Sequence, residues 1–275
     1  MGRRTILKNK IKDLFRFLCI LVLIVIFVSA CIALVRNAMG NQREKAAMKA
    51  LIKEKEASNN TAILEPMKEL ALLPEYASLY KKNNDMIGWL FIADTNIDYP
   101  VMQTPDDEEY YLHRGFDKQE SDNGCLIMDT DSVVGNGTAR YEYQNGTRAT
   151  TNLIIHGHTM KSGQMFGQLK LYEEEEYAEE HSVICFDSLY EHREYKVIAV
   201  FYSQVYRKSE DVFKYYKFFQ ADTKEEFEDW YGNIKAMSLY ETGVEAKFGD
   251  EFITLSCCAY HVENGRFVVV GKRVS

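Results

Sequence analysis

The 275-residue chain has only four prolines, and its six cysteines include no CxxC pair. With so little proline, no segment can form a rigid, extended, proline-rich stalk. The cysteine spacing argues against a structural zinc site and a disulfide framework. The chain also lacks internal repeats and a glycine-rich phosphate loop, so repeat architectures and nucleotide chemistry find no support. We therefore expect no cofactor and no metal.

Acidic side chains outnumber basic ones beyond the first sixteen residues. Those residues hold six basic side chains and one acid, a net charge of +5; because the whole chain carries −8, the rest carries −13. Binding to a phosphate backbone needs a basic surface, so nucleic acid is an improbable partner. The apolar fraction of 46% and the charged fraction of 27% are those of a globular protein.

One uncharged apolar run, residues 17–35, lies between Arg16 and Arg36. A helix of about 20 apolar residues crosses a bilayer. A cleaved signal peptide is the alternative, but the run is longer than a typical signal core and ends without a clean small-x-small cleavage site. Because basic residues stay in the cytoplasm, we predict a cytoplasmic tail (1–16), a transmembrane signal anchor (17–35) and an extracellular remainder.

Residues 36–85 are predicted to form juxtamembrane and N-terminal helices. The segment Asn41–Ser58 consists of strong helix formers with mixed charge and a thin apolar face, which is typical of a spacer. A second helix is expected from Glu65 to Asn83, with Pro74 near its start or at a break.

From residue 86 to residue 275 the pattern indicates a β-domain. Six strands are predicted before the C-terminal hairpin: 87–92, 97–103, 124–129, 151–158, 181–186 and 193–205. An exposed loop is predicted over 135–151, and helices over 106–116, from Met165 to Tyr172, and over 223–240, where Thr223 and Glu226 form a capping-box pattern. Irregular strand spacing without a βαβ rhythm favours a mainly antiparallel architecture with helical additions.

The last two predicted strands contain a cysteine and an arginine that can meet. The first ends at Cys258, the second begins at Arg266, and a seven-residue loop joins them. Antiparallel pairing would put these two residues nearly opposite each other, about 5 Å apart between Cβ atoms. The fixed positive charge would favour thiolate over thiol. Because side chains alternate along a strand, Cys257 would then point to the other face.

A cysteine nucleophile also needs a proton carrier and a group that stabilises the oxyanion. His158 is the best candidate for the carrier, because it ends an apolar strand directly after Gly157, where the backbone can turn sharply. Arg266 is the candidate for the oxyanion. A strand-end histidine alone is more often structural, but the combination of Gly-His, Leu-Ser-x-Cys and arginine indicates catalysis.

These segments, Asn152–Met160 and Thr254–Cys258 together with Arg266, resemble the sortase signature, in which a Gly-His strand end and a Thr-Leu-x-Thr-Cys strand supply the catalytic pair. The resemblance covers roughly residues 86–275 and is most like class B. On this match Cys258 is the nucleophile, by its offset from Leu255, His158 is the catalytic histidine and Arg266 is the arginine. Cys257 stands where the family usually has threonine.

The resemblance implies a closed eight-stranded β-barrel, with N-terminal helices and a helix inserted before the last strands, preceded by one transmembrane helix. The implied activity is that of an extracellular cysteine transpeptidase, which cleaves a C-terminal sorting signal after Thr through a thioacyl intermediate on Cys258. The implied partners are secreted proteins with such a signal, commonly of the Asn-Pro-x-Thr type, and the amine of a peptidoglycan precursor in a Gram-positive bacterium. Ser256 and Thr159 are predicted to line the substrate groove.

Other interpretations of the residues stay open. An L,D-transpeptidase-like wall enzyme also has histidine before cysteine, but its motif has glycine where this chain has Cys257. Papain-like peptidases have the reverse order of cysteine and histidine. A non-catalytic surface binding module would hold its cysteine and histidine in the core. A further hypothesis is that Cys257 and Cys258 oxidise to an inactive vicinal disulfide.

Overall fold

A computed structural model of the chain describes residues 2–61, 72–135 and 148–275. Eight strands form a closed barrel in the order β1-β2-β3-β4-β7-β8-β6-β5, and β5 pairs with β1. The strands are β1 Met86–Phe91, β2 Asp98–Met102, β3 Leu126–Met128, β4 Asn152–Gly157, β5 Val183–Ser188, β6 Glu194–Gln204, β7 Phe252–Cys258 and β8 Gly265–Arg273. The predicted mainly β fold, an eight-stranded barrel with an inserted helix before the last two strands, is confirmed.

The helices are α1 Gly2–Thr61, α2 Pro74–Lys82, α3 Glu175–Glu180 and α4 Lys224–Met237, with 3-10 turns at Leu169–Glu173 and Tyr215–Lys217. Pro74 begins α2, since its fixed φ and missing N–H suit the first turn of a helix. Residues 65–71 of the predicted second helix lie outside the described residues. So do residues 136–147 of the predicted exposed loop.

The chain divides into two compact units, Met1–Ala47 and Met48–Ser275. The first unit is the greater part of α1 and includes the apolar run. Among the described residues, one helical segment, Arg16–Ser58, is long and apolar enough to cross a membrane. Its most apolar window has a mean hydropathy of 3.4, and none of that window is buried. A signal sequence near the N-terminus would meet the same criterion of length and composition.

The end of α1, from Met48, belongs to the barrel unit. Leu51 and Ile52 are half-buried against the apolar cluster that contains Trp89 of β1. The Lys55 ammonium lies 4.5 Å from the centre of the Trp89 ring and 3.4 Å from the Asp98 carboxylate. The segment predicted as a spacer therefore also has a packing role, because the last turns of α1 cover part of the barrel with their thin apolar face.

Strand alternation divides the last strands into an inner and an outer face. Leu255, Cys257 and Phe267 point into the barrel core. On the outer face, α4 packs its buried side chains, Phe227, Trp230 and Ile234, against β6, β7 and β8. The predicted capping box starts this helix: the Thr223 hydroxyl accepts from the Glu226 N–H at 3.2 Å, and the Glu226 carboxylate accepts from the Thr223 N–H at 3.1 Å.

The predicted helix over 106–116 is wrong, and the one predicted from Met165 starts later than expected. Residues 106–116 form successive turns, such as the bond from Tyr110 N–H to the Asp107 carbonyl at 3.1 Å. The chain turns inward here because Tyr111 is buried and its hydroxyl donates to Asp85. No helix begins at Met165, whose φ of +51° is incompatible with a right-handed helix, and helical structure starts at Leu169 instead.

Candidate active site

The hairpin of β7 and β8 brings Cys258 and Arg266 together. The two residues are the last antiparallel pair in its register. Gly265, which begins β8, is buried, and a Cβ there would lie 2.2 Å from the Ala259 carbonyl oxygen. A side chain at this position would force the loop apart, so the glycine allows the register that sets the thiol opposite the guanidinium. The predicted pairing is confirmed.

His158 reaches the same end of the barrel from β4. The parallel register of β4 and β7 pairs Gly157 with Cys257, which places His158 just beyond the strand beside Cys258. A Cβ on Gly157 would lie 2.5 Å from the Phe166 ring, so only glycine fits directly before the histidine. The structure thus brings all three predicted catalytic residues to neighbouring strand ends.

The His158 ring is held by the loop that precedes β3. Its Nε2 lies 2.8 Å from the Leu112 carbonyl oxygen, and the ring of His113 stacks on it at 5.7 Å between centroids. A carbonyl oxygen can only accept a hydrogen bond, so Nε2 carries the proton and Nδ1 of the neutral ring is left with its lone pair. Nδ1 is therefore the nitrogen that can take up and release a proton.

The partners of the Arg266 guanidinium among the described residues are backbone carbonyls, not carboxylates. Its Nη1 donates to the carbonyl oxygens of Asn264, at 3.3 Å, and Gly265, at 3.0 Å. Among the described residues, no carboxylate lies within ion-pair distance of this guanidinium. The remaining N–H groups of its planar fork are available to an oxyanion.

The two adjacent cysteines occupy different environments. Cys257 points into the core, is 2% exposed, and has its thiol pKa raised to about 11 by burial. Cys258 is half-buried on the outer face with Arg266. A thiol at Cys257 stays protonated and out of reach at neutral pH, so the geometry favours Cys258 as the nucleophile. A vicinal disulfide would have to disrupt the last pairs of β7, because the two side chains point to opposite faces.

The two predicted groove residues are held in supporting positions. The Thr159 hydroxyl donates to the Cys258 carbonyl oxygen at 2.7 Å, which ties the segment after β4 to the end of β7. Ser256 is 1% exposed, and its hydroxyl shares a 2.7 Å hydrogen bond with the Tyr215 hydroxyl. Burial raises the pKa of Tyr215 well above its ordinary value. Ser256 is therefore too buried to line the groove as predicted, and it fixes Tyr215, which is itself only 2% exposed.

A cavity of about 190 Å³ adjoins this site on the outer face of the barrel. Its floor includes His156 of β4 and Arg266 of β8, one wall is the 3-10 turn Tyr215–Lys217, and the other wall is the segment around Asp129. The full lining is Glu108, Asp129, Thr130, Asp131, His156, Val205, Tyr215, Tyr216, Lys217 and Arg266.

Sequence reasoning missed Leu112, Tyr215 and Asp129. Leu112 acts through its backbone carbonyl, which leaves no trace in the residue type. Tyr215 lies in an aromatic stretch, residues 213–219. The aromatic composition could have indicated a wall of the cavity, but the stretch has no periodic pattern that predicts a helix or a strand. Within the described ranges 2–61, 72–135 and 148–275, no group of three or more His, Cys, Asp or Glu side chains is arranged to hold a metal ion.

Comparisons with known proteins agree on one family. A family model described as the Sortase domain matches residues 90–274. Sortase B of Listeria monocytogenes is 33% identical over 204 residues, which cover 73% of this chain and 74% of that protein. Sortase B of Staphylococcus aureus is 27% identical over 201 residues, covering 72% and 74%.

Solved structures give the same result for the fold. A Staphylococcus aureus sortase B–substrate complex matches with a TM-score of 0.70 and 22% identity, over 86% of this chain and 99% of its own. Sortase B from Bacillus anthracis in complex with AAEK1 matches with a TM-score of 0.66 and 26% identity, over 86% and 99%.

Proposed function

This chain belongs to the sortase family of cysteine transpeptidases and, within it, to class B, and we propose that Cys258, His158 and Arg266 are its catalytic residues. The observation that carries the proposal is the meeting of these three residues at the ends of β7, β4 and β8. Membership of this family sets aside the L,D-transpeptidase and the non-catalytic binding module.

In the first half-reaction, the Cys258 thiolate attacks the backbone carbonyl carbon of Thr in the bound peptide. The S–C bond forms, and the carbonyl oxygen becomes an oxyanion that the Arg266 guanidinium stabilises with charge-assisted hydrogen bonds. The C–N bond then breaks, and protonated His158 transfers a proton to the leaving amine from Nδ1. The products are a thioacyl enzyme and the released C-terminal fragment.

In the second half-reaction, an amine attacks the thioester. Neutral His158 accepts the proton of this amine at Nδ1, the new amide C–N bond forms, and the C–S bond breaks to restore the thiolate. The proton given up in the first step is thereby recovered in the second. Because the Leu112 carbonyl holds Nε2–H throughout, the same nitrogen serves both steps.

The substrates are secreted proteins with a C-terminal sorting signal of the Asn-Pro-x-Thr type, and the acceptor is the amine of a peptidoglycan precursor. The cavity beside Arg266 supports a peptide ligand, because its lining combines the aromatic side chains of Tyr215 and Tyr216 with the Arg266 guanidinium. Thr159 and Ser256 contribute by fixing the Cys258 carbonyl and Tyr215, respectively.

The chain is a single-pass membrane protein of a Gram-positive cell surface. Residues 1–16 form a cytoplasmic tail, 17–35 the anchor, 36–85 the juxtamembrane and N-terminal helices, and 86–275 the extracellular catalytic domain. The exposed apolar run and the basic tail before it support this topology.

The experiment that tests the function uses the full chain in detergent with a library of x-Pro-x-Thr-x peptides and an amine. We expect a mass increase on Cys258 that equals the peptide fragment ending in Thr, followed by the amine-linked product. His158→Ala and Arg266→Ala should lose the adduct, and Cys257→Ala should keep it. An adduct on Cys257, or no adduct from any peptide on folded protein, would overturn the proposed site.

A further inference from the structure

The loop that precedes β3 holds the ring of His158 at two points. The Leu112 carbonyl oxygen lies 2.8 Å from His158 Nε2, and the ring of His113 stacks on the ring of His158 with 5.7 Å between centroids and 24° between planes. Two neighbouring residues of one loop thus contact the edge and the face of the same imidazole. The direction in which Nδ1 points therefore depends on the conformation of this loop.

Backbone hydrogen bonds fix the loop on both sides of Leu112. The Cys125 N–H donates to the Tyr111 carbonyl at 3.0 Å, and the Ser121 N–H donates to the His113 carbonyl at 3.1 Å. The Tyr111 side chain is buried, which anchors the same stretch to the core. The peptide that carries the Leu112 carbonyl is therefore held between two bonded neighbours, against the segment 121–125.

Gly124 allows the Leu112 peptide to approach this segment closely. It is buried and has a φ of +60°, in the left-handed region that glycine adopts without strain. A Cβ at this position would lie 2.4 Å from the Leu112 carbonyl oxygen and 2.7 Å from that of Tyr111. Both contacts are with the backbone, which cannot move aside as a flexible side chain can. Any other residue would therefore displace the oxygen that orients His158.

His113 contributes little to the core, because its side chain is exposed. Its ring lies nearly parallel to the ring of His158, and aromatic rings in such an offset stack attract each other. The stack opposes rotation of the His158 ring about χ2, an angle for which histidine has only a broad intrinsic preference. A neutral ring suffices for this role, since a charged His113 would repel protonated His158.

We propose that Gly124 and His113 are positioning residues for the proton transfers of His158: Gly124 places the Leu112 carbonyl at Nε2, and His113 supports the face of the ring. The inference rests on the proposed function, because it concerns the step in which Nδ1 protonates the leaving amine. A general acid must lie within hydrogen-bond reach of the leaving group, so a ring that turns or shifts loses this step first.

The test compares two substrates that differ in their need for a general acid. One is an x-Pro-x-Thr-x peptide that the native chain cleaves, and the other is the 4-nitrophenyl ester of the same peptide ending at Thr. Both acylate Cys258 with the same fragment. An amine leaves the tetrahedral intermediate only when it is protonated, whereas 4-nitrophenolate leaves without a proton. We measure kcat/KM for both substrates with the full chain in detergent and a saturating amine acceptor.

The variants should affect the peptide and spare the ester. We expect Gly124→Ala to lower kcat/KM for the peptide about thirtyfold and His113→Ala about fivefold, since a misplaced catalytic group costs up to about a hundredfold. Both variants should keep kcat/KM for the ester within about twofold of the native value. His113→Phe restores a flat ring without a charge, so it should recover most of the loss caused by His113→Ala.

The chain offers a matched control for each position. Gly243 also has a positive φ, of +69°, but a Cβ there would meet nothing within 4 Å. The ring of His181 also stacks on a neighbour, Tyr177, at 4.0 Å between centroids. Gly243→Ala and His181→Ala should therefore leave kcat/KM unchanged for both substrates.

The two His113 variants test the inference even where Gly124→Ala does not fold. If kcat/KM falls equally for peptide and ester, the loop only shapes the groove; if it falls for neither, the loop does not position His158. In both cases the inference is wrong while the proposed function stands. If no peptide acylates Cys258 of the native chain, the proposed function itself fails, and the inference fails with it.

Discussion

The groove and the helical contact of this protein differ in whether a cation is paired with a carboxylate. By helical contact we mean residues 48–58 of α1 and all of α2 where they pack on β1, β2 and β5. In the groove, the partners of Arg266 among the described residues are the carbonyls of Asn264 and Gly265 in its own hairpin. In the helical contact, Lys55 pairs with Asp98 at 3.4 Å, and both side chains are largely shielded from solvent. The first cation is available to a ligand, whereas the second is committed to the fold.

This difference follows from what each region must do. A charge that already has a partner cannot respond strongly to a developing oxyanion, since its field is largely neutralised. An unpartnered charge contributes little to the free energy of unfolding, because water solvates it in both states. Substitutions in the groove should therefore change the reaction rate with little effect on stability, and substitutions in the helical contact should do the reverse.

The largest effect on rate is expected at the nucleophile. Cys258→Ala should lower kcat/KM by at least about a thousandfold, because the thioacyl intermediate cannot form. Its urea unfolding curve should stay close to that of the native chain. Cys257→Ala is the matched control: it should keep the activity but lower the free energy of unfolding by about 1 kcal/mol, through the small core cavity that it leaves. If Cys257→Ala lost the activity and Cys258→Ala kept it, the nucleophile would be the buried thiol of Cys257.

Arg266 gives the next largest effect. Arg266→Gln should reduce kcat/KM about a hundredfold, since one stabilising group for the oxyanion is removed. Arg266→Lys should recover only part of this loss, because an ammonium lacks the planar fork of the guanidinium. Peptide kinetics and urea unfolding on the same samples check both statements. If Arg266→Gln destabilised the fold by more than about 2 kcal/mol, the guanidinium would be structural and the comparison with the helical contact would fail.

Sequence reasoning predicted the hairpin and its chemistry well, for physical reasons. The register of Cys258 with Arg266 depends on a short loop, and the opposite directions of Cys257 and Cys258 depend only on the period of a strand. The strands of the barrel and the capped helix α4 also follow from local patterns. Short-range regularities of this kind are encoded in neighbouring residues.

What could not be predicted depends on contacts between distant segments. The Leu112 carbonyl that holds His158 is 46 residues away in sequence, and any residue type could supply it. The wall at Tyr215 and the packing of Leu51 and Ile52 on the barrel likewise depend on how separate elements meet. The turns at 106–116 were mistaken for a helix because their composition does not show that Tyr111 is drawn into the core.

The helical contact can be broken from the side of α1. Leu51→Ala combined with Ile52→Ala should lower the free energy of unfolding by about 2 kcal/mol, since each removes half-buried apolar surface. The exposed Lys53→Ala on the same helix is the control and should change stability by less than about 0.5 kcal/mol. Under conditions where both variants are folded, kcat/KM should equal that of the native chain. A loss of activity without a loss of stability would show that this part of α1 acts on the groove.

The smallest predicted effect depends on pH and is located at His192, in the loop between β5 and β6 beside the helical contact. Its Nδ1 lies 3.0 Å from the Asp187 carboxylate and its Nε2 lies 3.3 Å from the carboxylate of Glu75 on α2. The hydrogen bond to Asp187 raises the pKa of His192 above its ordinary value of about 6.5, and the charge of Glu75 adds to this effect. Protonated His192 therefore links α2 to the end of β5.

Because the pKa is higher in the folded state, the stabilisation is fully present below about pH 6.5 and is lost as the pH rises through the folded-state pKa. The side chain is 62% exposed, so the contribution should be less than about 1 kcal/mol. We expect native protein to be more stable than His192→Gln in urea at pH 5.5, and this difference to shrink by pH 8.5. His181→Gln is the control and should show no such trend, because the His181 ring contacts the Tyr177 carbonyl and ring and no carboxylate of the described residues lies within ion-pair distance of it. If the difference in stability between native protein and His192→Gln is the same at both pH values, the imidazole stabilises the fold through packing alone. The ion pairs of His192 with Asp187 and Glu75 would then contribute nothing to the free energy of unfolding.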